Sequence, residues 1–284
     1  GLLSDEGSYE EASVALEKMI ELRPDLADPY YLRGLNEYQL GNYQNATDSL
    51  EQATVLNSTQ MTEDDLSKAF YTLGLSRVQN DDKQGASEAF AESVSINETN
   101  PVAWNDYGVV LNELESYEEA LKAFEEAITL KGDSAEYYYN QGTALKNLDK
   151  TEEAIASFDK AIEIEPGQRA YLAKGIAQLS LGEFEEAQKT FEAGIDLDDT
   201  KADLWAQKAF ALYKQGKMDE ALAAVDKALS LDETWQYAIE LKALIENPEA
   251  GNETALSPGD ESESEEPTLE ENNMTEEESL VNSN

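Results

Sequence analysis

The sequence predicts an all-α fold: an α-α superhelix, or solenoid, of about six to seven helix-turn-helix repeats, with a C-terminal capping helix and an acidic tail. Three observations predict it. Ala12, Ala46, Ala86, Ala120, Ala154, Ala187 and Ala221 recur at intervals of 34, 40, 34, 34, 33 and 34 residues. A glycine stands twelve residues before five of them, at Gly34, Gly74, Gly108, Gly142 and Gly175, and a bulky apolar residue four after each, from Leu16 and Leu50 to Phe90, Phe124, Phe158, Phe191 and Val225. Four residues before each glycine is an aromatic: Tyr30, Phe70, Trp104, Tyr138 and Tyr171, with Trp205 in the same place before Ala209.

Each unit therefore reads as two antiparallel helices. Gly and Ala permit close backbone approach, and the aromatics fill the space between neighbouring units. Residues 101–134 show an apolar stripe at helical spacing, a break at Glu115-Ser116, then a second stripe. Burial of Trp104 and Phe124 there is expected to contribute roughly 1.5–3 kcal/mol each.

In chain order, residues 1–26 form a partial repeat whose complete helix is expected at about Tyr9–Leu22. Full repeats follow at 27–60, 67–100, 101–134, 135–167, 168–201 and 202–235, with a cap helix at about 235–246, so that the array spans 1–246. The extra MTEDDL before Ser67 places Thr62 three residues ahead of Asp65, a helix start with acidic residues in its first turn, and predicts a lengthened first helix. A missing residue near Pro166-Gly167 predicts a tighter turn. Residues 247–284 form an acidic low-complexity tail whose segment after Pro248 has no Lys or Arg and few large apolar side chains.

The pattern of aromatic, Gly, Ala, aromatic, Ala and Pro over about residues 1–246 resembles the tetratricopeptide repeat (TPR) family. Pro24 and Pro166 stand where that family places its unit-ending proline, while Ser58, Glu98, Gly132, Asp199 and Glu233 replace it elsewhere. A Sel1-like array is the structural alternative. The resemblance implies a concave groove lined by the first helix of each unit, at its fifth, ninth and twelfth places. Carried onto this chain, the groove residues are Tyr31, Leu35, Tyr38, Tyr71, Leu75, Asn105, Val109, Asn112, Tyr139, Thr143, Ile176, Leu179, Phe210 and Tyr213, joined by the adjacent Asn140.

That lining is aromatic and apolar with a band of amides, which suits an extended peptide or an amphipathic helix. The groove is also expected to hide part of its lining if the array curves strongly. The family's chaperone-binding subgroup grips a terminal carboxylate through clustered Lys, Arg and Asn, but here Lys68, Lys146 and Arg169 are scattered along the sequence.

Chemistry is sparse. The chain has no His and no Cys, and contains no nucleophile elbow, phosphate-binding glycine loop or metal-ligand cluster. Glu118-Glu119, Glu152-Glu153 and Glu185-Glu186 recur at one place per unit and read as the acidic first turn of the second helix rather than as acid/base pairs. No catalytic residue, cofactor or metal site is expected in the array, and the protein reads as a non-catalytic binder. The tail is a candidate contact for a divalent cation or a basic surface.

The net charge of −41 disfavours nucleic acid and anionic membranes as partners, since both repel such a field. No apolar run is long enough to span a bilayer. Asn-X-Thr triplets at Asn45, Asn57, Asn97, Asn252 and Asn273 exceed the one or so that chance predicts, and raise an exported, glycosylated, cell-surface setting against a cytoplasmic one. Two functions from different classes are expected to compete. One is a scaffold holding a peptide or protein in its groove; the other is an extracellular structural protein polymerising head to tail through incomplete terminal repeats.

Overall fold

The computed structural model describes residues 6–56 and 61–247, in which fourteen helices and no strand occur. They fall into two compact units. The first, ending at Leu130, contains α1 (Glu6–Leu22), α2 (Ala27–Gln39), α3 (Tyr43–Leu56), α4 (Glu63–Gln79), α5 (Lys83–Ile96), α6 (Pro101–Glu113) and α7 (Tyr117–Leu130). The second, starting at Lys131, contains α8 (Ala135–Asn147), α9 (Thr151–Ile164), α10 (Gln168–Ser180), α11 (Phe184–Leu197), α12 (Ala202–Lys214), α13 (Met218–Leu231) and α14 (Gln236–Glu246). The fold class is that expected from the sequence, an all-α succession of helical hairpins.

The hairpins close because small residues face rings. A Cβ built on Gly74 would lie 2.7 Å from the Phe90 ring, one on Gly108 2.6 Å from Phe124, and one on Gly142 2.5 Å from Phe158; Gly175 and Phe191 meet in the same way. Any side chain at these positions displaces a ring that is itself almost wholly buried. The second helices carry the matching stripe: α7 buries Ala120, Ala123, Phe124 and Ala127, the i, i+3, i+4, i+7 positions of one face.

One turn geometry joins the two helices of every complete hairpin. The residue after the C-cap is left-handed, at Gly41, Asp81, Glu115, Asp149, Gly182 and Gly216. The next N–H reaches back five residues, as in Asn42 to the Glu37 carbonyl (2.8 Å) and Ser116 to the Leu111 carbonyl (2.9 Å), satisfying orphan carbonyls at the helix end. Three of the six positions carry a residue with a Cβ, which costs roughly 1–2 kcal/mol in this conformation.

Loops between hairpins share a second device. Asn97, Asp198 and Asp232 each accept hydrogen bonds at Oδ1 from the backbone N–H and the hydroxyl of the threonine two residues on, Thr99, Thr200 and Thr234. The indole N–H of Trp104 donates to the Glu98 carbonyl and that of Trp205 to the Asp199 carbonyl, both at 3.0 Å.

The irregularities behave as their residues require. Thr62 caps α4, its hydroxyl oxygen accepting from the Asp65 N–H, and Glu63, Asp64 and Asp65 fill the first turn of a 17-residue helix. Only residues 165–167 separate α9 from α10, whereas residues 131–134 separate α7 from α8. The early helix begins at Glu6 rather than Tyr9. Trp104 corrects an expectation: its ring is only half-buried, so the interior aromatic of that hairpin is Phe124.

Candidate functional site

The first helices of each unit present one face. In the first unit, Tyr31, Tyr71, Leu75, Asn105, Val109 and Asn112 are buried, while Leu35 and Tyr38 are half-buried. Asn105 and Val109 retain no accessible area at all, so they support the face from beneath. Leu35 and Tyr38 carry its contactable apolar surface, joined by half-buried Val78.

Beneath that face is a buried carboxylate. Asp106 on α6 is fully covered; the Tyr71 hydroxyl of α4 donates to its Oδ2 at 2.6 Å and the Asn105 amide to its Oδ1 at 3.2 Å. Carboxyl oxygens shut off from water need such donors, and the Tyr71 bond ties the first helices of successive repeats. The Tyr38 hydroxyl is pushed above its ordinary pKa, first by burial and then by Tyr43 and the Asp106 carboxylate, so it stays protonated across the physiological range.

Asp106 was not among the residues singled out from the sequence, yet its signal was there. It stands two residues before Gly108, and the same place holds buried polar Thr72, Asn140 and, before Ala209, Gln207, though Leu32 and Ala173 take it in the other two repeats.

In the second unit Tyr139, Asn140, Leu179, Phe210 and Tyr213 are buried, while Thr143 and Ile176 are half-buried. Cations lie on these aromatics. The Arg169 guanidinium sits 4.4 Å from the centre of the Tyr139 ring, and the Lys214 ammonium 5.3 Å from Phe210 and 5.8 Å from Tyr213. Arg169 also lines a cleft of about 300 Å³ together with Gln168, Leu172, Lys201, Asp203 and Leu204. Sequence spacing made Arg169 look isolated; the fold brings it over one predicted groove residue and beside Lys201.

Of the glycosylation candidates, Asn45 is exposed on α3, but its Thr47 is buried and accepts a hydrogen bond from the Asn80 amide. Asn97 is half-buried and forms the loop turn that Asp198 and Asp232 form elsewhere, which gives its threonine a structural role. Asn57, Asn252 and Asn273 lie outside the described residues. Among the described residues no group of side chains is arranged to hold a metal ion, and no helix is long and apolar enough to cross a membrane.

Models of the tetratricopeptide repeat match residues 27–59, 71–135, 135–168 and 172–238, which is most of the chain. The protein belongs to the tetratricopeptide repeat family. Its repeats are thus those of a family of generally non-catalytic, protein-binding scaffolds.

Among solved structures, the C-terminal part of a TPR repeat-containing protein from Cytophaga hutchinsonii is similar at 20% identity and a TM-score of 0.68, covering 82% of this chain and 94% of that one. YrrB, described as a TPR protein with an unusual peptide-binding site, is similar at 21% identity and 0.58, covering 70% and 100%. MamA from Desulfovibrio magneticus RS-1 is similar at 17% and 0.56, covering 60% and 97%. These likenesses concern the fold. A search of curated proteins returns no match.

Proposed function

We propose that this TPR chain is a non-catalytic scaffold that holds a peptide or protein segment along its first-helix face. One observation carries the reading: half-buried apolar side chains, Leu35 and Tyr38 in the first unit and Ile176 in the second, reach solvent on a face whose backing residues are locked in the core. A rigid apolar surface with fixed hydrogen-bonding groups behind it binds at low ordering cost. That YrrB is described by a peptide-binding site supports the same use of the fold.

Photo-reactive residues placed singly at Tyr38 and Ile176 of the full chain test this. Each is expected to cross-link a defined protein segment, whereas Val55 on a second helix, which is 79% exposed, is expected to capture nothing reproducible. Equal capture from Val55 overturns the reading.

A second reading has its own observation. Val14 on α1 is 53% exposed and Met19 49%, apolar area that a further copy could cover, and α14 is a first-type helix with no described second helix behind it. In that reading copies join head to tail. Light scattering over a concentration series decides it: a monomer at all concentrations defeats it, as does a polymer that survives deletion of Trp235–Glu246.

A further inference from the structure

Among the fifth, ninth and twelfth places of the six full repeats, one alone holds a charged side chain: Lys146, at the twelfth place of α8. The other repeats put Tyr38, Val78, Asn112, Leu179 and Tyr213 there, so the fold asks for no charge at this position. Lys146 is exposed and stands one turn beyond half-buried Thr143, on a helix that touches α10 with its half-buried Ile176.

The remaining bases on the first helices of this unit are engaged. Lys174, Lys208 and Lys242 pair with Asp159, Glu192 and Asp226 of the second helices at 2.6, 2.9 and 2.7 Å, and Arg169 and Lys214 lie over Tyr139, Phe210 and Tyr213. Lys146 has neither kind of neighbour among the described residues. Burial alone holds its ammonium below the ordinary lysine range, and no carboxylate lifts it back. The last turn of a helix suits a cation, which accounts for a base at this end of α8 but not for one stripped of water without a counter-charge. The chain has 61 acidic residues to 20 basic ones, yet it places none of those acids against this ammonium.

We propose that Lys146 sets the specificity of the second unit's first-helix face by taking, at its ammonium, the side-chain carboxylate of an aspartate or glutamate in the bound segment. The inference rests on the reading of that face as a binding surface. A segment with an acid beside an apolar residue fits it, the acid meeting Lys146 and the apolar residue Ile176. The ligand carboxylate restores by contact the stabilisation that water no longer gives the ammonium. One acid suits the face better than an acidic tract, because residues 131–247 carry 23 acidic and 13 basic side chains and repel a long run of negative charge.

A library of random synthetic peptides, acetylated and amidated so that only side chains bring carboxylates, tests this on the full chain. Retained peptides are expected to share an aspartate or glutamate next to an apolar residue, and the best of them should bind the Lys146→Leu variant roughly tenfold more weakly. Lys146→Glu should turn the preference at that peptide position to lysine or arginine. Leucine already stands at this place as Leu179, so Lys146→Leu should melt no lower than the parent chain.

A lower melting temperature would give Lys146 a structural role and overturn the inference. So would an acidic preference that survives Lys146→Leu, or one found only when the peptides keep a free C-terminal carboxylate. The preference of the parent chain is read without any variant, and its absence is decisive by itself. Peptides that cross-link to photo-reactive residues at Tyr38 and Ile176 without an acidic preference sink this inference and spare the proposed scaffold function; a library from which nothing is retained sinks both.

Discussion

The two units use one hairpin and connect it differently. In the first, repeats are joined by buried or half-buried hydrogen bonds. Arg77 on α4 donates to the Glu51 carboxylate of α3 at 2.7 Å and Tyr71 on α4 holds Asp106 of α6, while the Arg77 bond to the Gly85 carbonyl and the Ser67–Ser93 bonds lie within the α4–α5 hairpin. In the second, lysines on the first helices pair with the preceding second helix at the period of the repeat, beside uncharged bonds from Gln215 to the Phe184 carbonyl and from Tyr237 to Gln207. The lesson is that a small residue against a bulky one specifies the hairpin in both, while the joint between hairpins is free to mix buried hydrogen bonds and ion pairs in different proportions, with a periodic lysine series in the second unit alone.

The comparison breaks first at the shared element. Phe124→Ala in the first unit and Phe158→Ala in the second should each lower stability by roughly 3–5 kcal/mol, measured by denaturant unfolding, because each empties the same fully buried place. Markedly different losses would show that the hairpins are not equivalent. Trp104→Ala, with its half-exposed ring, should cost clearly less than Phe124→Ala.

At the joints the units should differ. Tyr71→Phe removes a buried donor from Asp106 and is expected to cost about 1.5–3 kcal/mol, with little salt dependence. Lys174→Ala removes a partly exposed pair and should cost only about 0.2–1 kcal/mol, less at high salt. A salt-insensitive loss at Lys174 would erase the distinction.

The turns offer a change of opposite sign. Glu115→Gly and Asp149→Gly, at φ near +60°, should stabilise by up to about 1 kcal/mol in thermal or chemical unfolding, since glycine meets no Cβ penalty there. No gain would mean that the side chains repay the strain.

The smallest effect is a pH dependence of the ionic joints. Burial pushes the Glu192 carboxyl up, but hydrogen bonds from Gln188 and Lys208 and the charges of Lys208 and Lys217 hold it below its ordinary value. With its folded pKa below the unfolded one, its contribution is present above the ordinary glutamate range and fades as pH falls through the lowered value. Lys208→Met should flatten that part of the acid unfolding profile.

Much of this was legible in the residues. The 34-residue period, the Gly-to-Phe spacing and the Thr62 start each correspond to one local contact repeated along the chain, and local contacts are what a sequence pattern encodes. Placement of the fifth, ninth and twelfth residues on the first helices was likewise readable.

Which of them reach solvent was not, because burial at Asn105 or Val109 depends on how closely the next helix packs, a distance set by side chains one period away. The sequence by itself determined the hairpin, its turns and its acidic second-helix starts, all governed by residues within one period. Only the tertiary structure decided that Arg169 meets Tyr139, that Asp106 is held by Tyr71 and that Trp104 stays half in water, because each joins side chains about one period apart or depends on the neighbouring hairpin, whose approach no single repeat specifies.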